Sequence, residues 1–177
     1  MSSIILIGYM GCGKSTIGKR LSYARRTPFL DTDKIIERKV NMTISELFEK
    51  EGEEYFRDLE TNCIKDLLKE YGQYIIAVGG GLALREENRR LLKKLGTVIY
   101  LQANWETIYE RVKKDTTRPL LQGDNPQEKI RSMMAKRAPI YQSAADIIID
   151  VDNKSYEEII ENIQQQVEAF TERTVRT

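Results

Sequence analysis

Short apolar runs alternate along the chain with longer stretches in which apolar residues recur every three or four positions, which predicts alternating strands and helices. Ile4-Ile5-Leu6-Ile7 is a continuous, largely β-branched run ending at Gly8, the pattern of a strand buried on both faces. A glycine-rich turn follows, then a helical pattern from Lys14 to about Ala24. Phe29-Leu30 predicts a brief second strand closed by Asp31-Thr32-Asp33. From Asp33 to Glu70 the pattern is mostly helical. Thr43 followed by Glu46 predicts a capping box, with Leu47 and Phe48 on the inner face, and Gly52 predicts a break before the next helix. Tyr74 to Val78 is a third strand, stopped by Gly79-Gly80-Gly81. Arg85 to Lys94 reads as helix, with Gly96 where a C-terminal glycine belongs. Thr97 to Leu101 reads as strand and Glu106 to Lys113 as helix. Polar residues with Pro119, Gly123 and Pro126 predict an irregular loop from about Asp115 to Pro126. Helix resumes to about Arg137, Ile147 to Asp150 forms a last strand, and Ser155 with Glu158 caps a final helix. Thr171 to Thr177 is expected to be a frayed tail.

Strands that are apolar throughout, alternating with helices, call for a parallel sheet covered on both faces. The expected fold is therefore single-domain α/β, a three-layer sandwich around a central parallel sheet of about five strands. There is no internal repeat and no interdomain linker. The domain is expected over residues 1–170, with 171–177 a flexible tail.

Composition narrows the possibilities. The chain has 177 residues, 41% hydrophobic and 31% charged, and its formal net charge is +1. That balance supplies no global field for nucleic acid or an anionic membrane, so neither is an expected partner. No apolar run approaches the roughly 20 residues of a membrane span, and no basic-then-apolar leader is evident. Two cysteines, Cys12 and Cys63, are too few for a disulfide framework; reduced thiols and a cytoplasmic location are expected. Histidine is absent, which excludes a Ser-His-Asp hydrolase and a histidine-ligated metal.

Gly8-Tyr9-Met10-Gly11-Cys12-Gly13-Lys14-Ser15 matches G-x-x-x-x-G-K-[ST] between a predicted strand and a predicted helix. This is a phosphate-binding loop. Glycines let backbone N–H groups turn toward phosphate oxygens, and the helix N-terminus adds positive potential. Gly11, Cys12, Gly13, Lys14, Ser15 and Thr16 form the cradle. Lys14 reaches the β- and γ-phosphates, and Ser15 offers an oxygen to Mg²⁺. The run is not a dinucleotide fingerprint, because Thr16 takes the third glycine position. The motifs of a GTPase switch are missing too: no aspartate is followed three residues later by glycine, and Asn153-Lys154-Ser155 continues to Tyr156 rather than to aspartate.

Further clusters fall at predicted strand ends, where open α/β sheets bind ligands. Asp31-Thr32-Asp33 follows the second strand and Gly79-Gly80-Gly81 the third. Arg57 precedes Glu60 by three positions on a helix. Arg118-Pro119-Leu120-Leu121 lies on the irregular loop, and Arg137-Ala138-Pro139-Ile140-Tyr141 follows. With these motifs in this order, the chain resembles the shikimate kinases from about Ile4 to Asp150.

The resemblance implies a P-loop kinase that uses ATP with Mg²⁺ to phosphorylate the 3-hydroxyl of shikimate, in the biosynthesis of chorismate and aromatic amino acids. It implies that Asp33 orients or deprotonates the attacking hydroxyl, where an N-cap of the next helix is the plainer reading. Asp31 would help hold Mg²⁺. Arg57 and Arg137 would clamp the substrate carboxylate with their guanidinium forks. Gly79, Gly80 and Gly81 would bring backbone N–H groups against the substrate. The substrate-binding helices would span about 33–60. Arg118 would ride on a lid at about 115–122, joining Lys14 and Asp33 in catalysis, and Arg111 would flank adenine. Phe48 and Phe56 are divided between lining the substrate ring and plain core packing, whereas Trp105 and Cys63 read as packing residues. Cys12 stands where the family usually has alanine or serine, and its place at a helix N-terminus suggests a thiol open to oxidation.

Two rivals remain. One is another P-loop small-molecule kinase, such as one acting on gluconate; the other is a nucleotide-binding module without catalysis. The even charge and lack of an obvious apolar patch point to a monomer.

Overall fold

A computed structural model describes residues 2–113 and 125–175. Five parallel strands form one sheet: β1 (Ser3–Ile7), β2 (Phe29–Asp31), β3 (Ile75–Ala77), β4 (Gly96–Gln102) and β5 (Ile147–Asp150), in the order β2-β3-β1-β4-β5. β1 takes the centre. β1 pairs with β3 on one side (Ile5 opposite Ile76) and with β4 on the other (Ile5 opposite Val98), and each of its residues is buried. Helices α1 (Lys14–Arg25), α2 (Thr32–Val40), α3 (Ile44–Leu67), α4 (Glu86–Leu95), α5 (Trp105–Val112), α6 (Pro126–Ala144) and α7 (Tyr156–Val175) accompany the sheet.

Local sequence explains the boundaries. Thr43 and Glu46 exchange the hydrogen bonds of a capping box at the start of α3. Ser155 and Glu158 do the same before α7. Gly52 interrupts α3 with φ 85° and ψ 171°, a conformation open essentially to glycine alone. Gly18 lets α1 approach the sheet: a methyl group there would lie 2.5 Å from the Phe29 ring.

Three expectations need correction. Gly96 ends α4 with φ 165°, extended backbone and not the left-handed cap. It is glycine because a Cβ would fall 2.1 Å from the Ser3 carbonyl oxygen. α6 does not stop near Arg137; it runs through Pro139 to Ala144, because Tyr141 and Ala144 bury one face against the core. α7 continues to Val175, through residues expected to form a frayed tail. Val167 and Phe170 pack on the core, and the Thr171 and Thr174 hydroxyls donate to the Val167 and Phe170 carbonyls. The predicted lid and Arg118 lie outside the described residues.

Because the strands are parallel, their C-terminal ends share one edge. The order β2-β3-β1 then sets Asp31, the triple glycine and the phosphate loop side by side. These three segments are separated in sequence and joined only by topology.

Candidate active site

The phosphate loop leaves β1 through left-handed or glycine-only backbone at Gly8 (φ 144°), Gly11 (φ 77°) and Gly13 (φ 102°). Lys14 Nζ folds back over the loop and donates to the carbonyls of Gly8 at 2.9 Å and Tyr9 at 3.0 Å. The Cys12 thiol is buried, faces Gly8, and lies 3.9 Å from Lys14 Nζ. The side chain is thus turned into the core, without the exposure that oxidation would need; only the Cys12 backbone belongs to the cradle.

The two acids after β2 divide their tasks differently from the simplest sequence reading. Asp31, not Asp33, caps α2: its Oδ1 accepts from the N–H groups of Asp33 at 3.1 Å and Lys34 at 3.4 Å. Its Oδ2 accepts from the Ser15 hydroxyl at 2.8 Å. Asp33 is therefore free of capping. Its Oδ1 is buried with no hydrogen-bond partner, and burial, with Asp31 second, pushes its carboxyl above the ordinary range; Lys14 and Arg57 oppose that rise.

Arg57 is held from two sides. It donates to Glu60 at 2.7 Å and to Glu53 at 2.8 Å, and its guanidinium lies 5.4 Å from the centre of the Phe56 ring. Glu60 is fully buried, and its other oxygen, Oε1, has no partner. The triple glycine sits against these groups. A Cβ on Gly79 would lie 2.6 Å from Asp33 Oδ1 and 2.7 Å from Glu60 Oε1, and one on Gly81 would strike the Arg57 guanidinium. The Gly79 N–H is already taken by the Thr32 hydroxyl at 3.1 Å. Arg137, on α6, lies over the Tyr9 ring at 5.7 Å, and Tyr141 one turn later donates to the Gly80 carbonyl.

A cavity of about 440 Å³ opens between these segments. Gly11, Gly13, Lys14, Ser15, Thr16, Asp31, Asp33, Gly79, Gly80 and Arg111 line it, so most sequence-predicted positions share one space. Arg57 and Gly81 adjoin it through Gly79 and Gly80. Arg111 donates to the Gly11 and Cys12 carbonyls at 3.4 and 3.3 Å. Phe48 and Phe56 meet at 4.9 Å, with Phe56 buried in the core.

Val112 and Tyr156 also line the cavity, and sequence reasoning does not reach them. Tyr156 is carried in by α7, with Arg20 stacked on its ring at 4.5 Å; its place directly after the Ser155 cap is the only sign in the sequence. Glu60 reads in sequence as a brace for Arg57, but its orphan oxygen is not visible there.

Ser15 and Asp31 fit a magnesium site. Their side-chain oxygens stand 2.8 Å apart at the cavity wall, next to the cradle. One carboxylate and one hydroxyl leave room for phosphate oxygens and water, the usual habit of Mg²⁺.

Comparison with known proteins adds a second line. The family model described as "Shikimate kinase" matches residues 10–168. Among curated proteins, the shikimate kinase of Thermodesulfovibrio yellowstonii is 44% identical over 171 residues, spanning 97% of this chain and 98% of that protein. That of Dictyoglomus turgidum is 43% identical over 161 residues, 89% of this chain and 92% of its own length. Among solved structures, the shikimate kinase from Acinetobacter baumannii in complex with shikimate has a TM-score of 0.89 at 37% identity, covering 96% of this chain and 94% of that one. A gluconokinase from Sinorhizobium meliloti, with TM-score 0.60 at 15% identity over 98% of this chain and 95% of its own, shares the fold alone.

Proposed function

The chain belongs to the shikimate kinase family, and from that premise we propose that it transfers the γ-phosphoryl group of ATP to the 3-hydroxyl of shikimate. One observation supports this reading above the others. A buried carboxylate oxygen without a partner, Asp33 Oδ1, stands beside the phosphate cradle and next to a guanidinium across the triple glycine. A buried polar group left unpaired is costly, so its natural partner is a ligand hydroxyl.

In the reaction the hydroxyl oxygen forms a bond to the γ-phosphorus as the bond to the β,γ-bridging oxygen breaks, and ADP leaves. The hydroxyl proton passes to Asp33 Oδ1. Raised proton affinity makes Asp33 a better base than an ordinary aspartate, while Lys14 nearby favours the ionised form that must accept the proton. Lys14 exchanges the Gly8 and Tyr9 carbonyls for phosphate oxygens. Ser15 and Asp31 hold Mg²⁺, which neutralises charge on the phosphates when bound. Arg57, held by Glu53 and Glu60, and Arg137 receive the substrate carboxylate. Arg111 flanks the base, and Arg118 meets the transferred phosphoryl group.

Two small molecules are thus the partners of the reaction, and the near-zero net charge offers nothing for nucleic acid. No helix among the described residues is long and apolar enough to cross a membrane. The reading takes the chain as a cytoplasmic monomer, checked by sedimentation. The main test is coupled ADP release with shikimate, with gluconate, and without acceptor. Release should need shikimate; equal release in the three reactions would refute a shikimate kinase, and release with gluconate alone would favour the gluconokinase reading.

A further inference from the structure

Tyr141 is the bulkiest of the fully buried side chains among the described residues. Its ring packs on Tyr100 with centroids 5.2 Å apart. Phenylalanine would fill the same space, so packing does not account for the hydroxyl. That hydroxyl donates to the Gly80 carbonyl at 2.5 Å, 61 positions away in sequence. Burial raises the phenol's proton affinity, so it remains a donor, and the Arg137 charge acts on the same oxygen one helical turn away.

The Gly80 carbonyl and the Gly81 N–H belong to one rigid peptide plane. Fixing the carbonyl therefore fixes the direction of the Gly81 N–H, at the residue packed against the Arg57 guanidinium. The need for such a hold is physical. Three successive glycines have the widest conformational freedom and no side chains of their own to restrict it. Neighbouring positions are tied elsewhere: the Gly79 N–H to Thr32, the Gly79 carbonyl to Leu82 N–H and the Gly81 carbonyl to Leu84 N–H. The middle peptide is held by Tyr141.

We propose that Tyr141 is a positioning residue for the acceptor, its hydroxyl locking the Gly80–Gly81 peptide and the Arg137 guanidinium into one arrangement. It touches no reacting atom. The inference rests on the reading that Arg137 receives the shikimate carboxylate.

Tyr141→Phe removes the hydroxyl and keeps the ring. Losing one neutral hydrogen bond in the acceptor frame should raise KM for shikimate about tenfold. KM for ATP should stay within about twofold, since the phosphate cradle keeps its contacts. A purely structural role would lower Tm and move both KM values together, and that result, or no change in either, overturns the proposal. Arg137→Ala separates the two levels. If Arg137→Ala raises KM for shikimate and Tyr141→Phe does not, only the positioning role fails; if Arg137→Ala leaves KM unchanged, the carboxylate reading fails. Should Tyr141→Phe not fold, NMR of the wild-type chain serves instead. The Tyr141 hydroxyl proton and the Gly81 amide should both shift with shikimate and stay in place with ADP, and two unmoved signals with shikimate would refute the role.

Discussion

Asp31 and Asp33 are two positions apart yet live in opposite environments. Asp31 accepts three hydrogen bonds, from the Asp33 and Lys34 N–H groups and the Ser15 hydroxyl, while Asp33 Oδ1 accepts none. The D-x-D motif was legible in the sequence; which acid caps α2 was not, because it depends on a two-residue difference in where the helix begins. The contrast sets the first prediction. Asp33→Asn keeps the shape and removes the base, so kcat should fall about 10²–10⁴ in steady-state ADP release; a loss below about tenfold would reduce Asp33 to orienting the hydroxyl. Glu60 gives the second. Burial pushes its carboxyl from the ordinary 4.5 up to about 7, against the opposing Arg57 charge. The folded chain therefore holds this proton more tightly than the unfolded chain between those values. The stability this contributes is present below about 4.5 and is lost as pH rises through about 7. Asp33, shifted in the same direction, adds to the slope. Thermal unfolding from pH 5 to 8 should show a steeper fall for the wild type than for Glu60→Gln, and parallel curves would refute the assignment.

At the level of elements, what could be read were strands, caps and breaks, since a capping box or a run of isoleucines acts locally. Thr43 with Glu46, Ser155 with Glu158 and the interruption at Gly52 all lie where sequence puts them. Errors arose where tertiary packing overrode a local signal. The helix was expected to end near Arg137, yet α6 passes through Pro139 because Tyr141 and Ala144 are buried beyond it. Gly52 and Gly96 show that two glycines at helix breaks need not share a cause. A methyl group on Gly52 would meet nothing within 4 Å; only the backbone conformation there resists other residues. Gly52→Ala should therefore cost about 1–3 kcal/mol from backbone strain alone. At Gly96 the backbone is extended and open to any residue, but the methyl group would meet the Ser3 main chain in the sheet. Gly96→Ala must shift β4 against β1 and should destabilise more than Gly52→Ala in urea unfolding. The reverse order would mean that the strand pair yields more easily than its register suggests.

On the scale of the whole molecule, the site is a product of strand order. Motifs spaced across the chain could be recognised one by one, but only the β2-β3-β1 arrangement makes Asp33, Gly79 and Lys14 neighbours. Tyr156 was illegible for the same reason: it enters the cavity from the last helix, whose approach is set by packing against α1 and β5. The topology also separates two functions within one cavity. The phosphate cradle is built from the loop after β1, and the acceptor frame from α2, α3, α6 and the triple glycine. Lys14 belongs to the first and at present bonds the loop's own carbonyls. A nucleotide diphosphate must take over that ammonium, whereas shikimate need not. MgADP at about one hundred times its Kd adds roughly 2.7 kcal/mol of stability, a rise in Tm of about 5–10 °C for a chain of this size. Lys14→Met should lose more than half of that rise while keeping the rise produced by shikimate, both read by thermal unfolding. Loss of both shifts together would mean that cradle and acceptor frame form as one unit, against the division that the strand order implies.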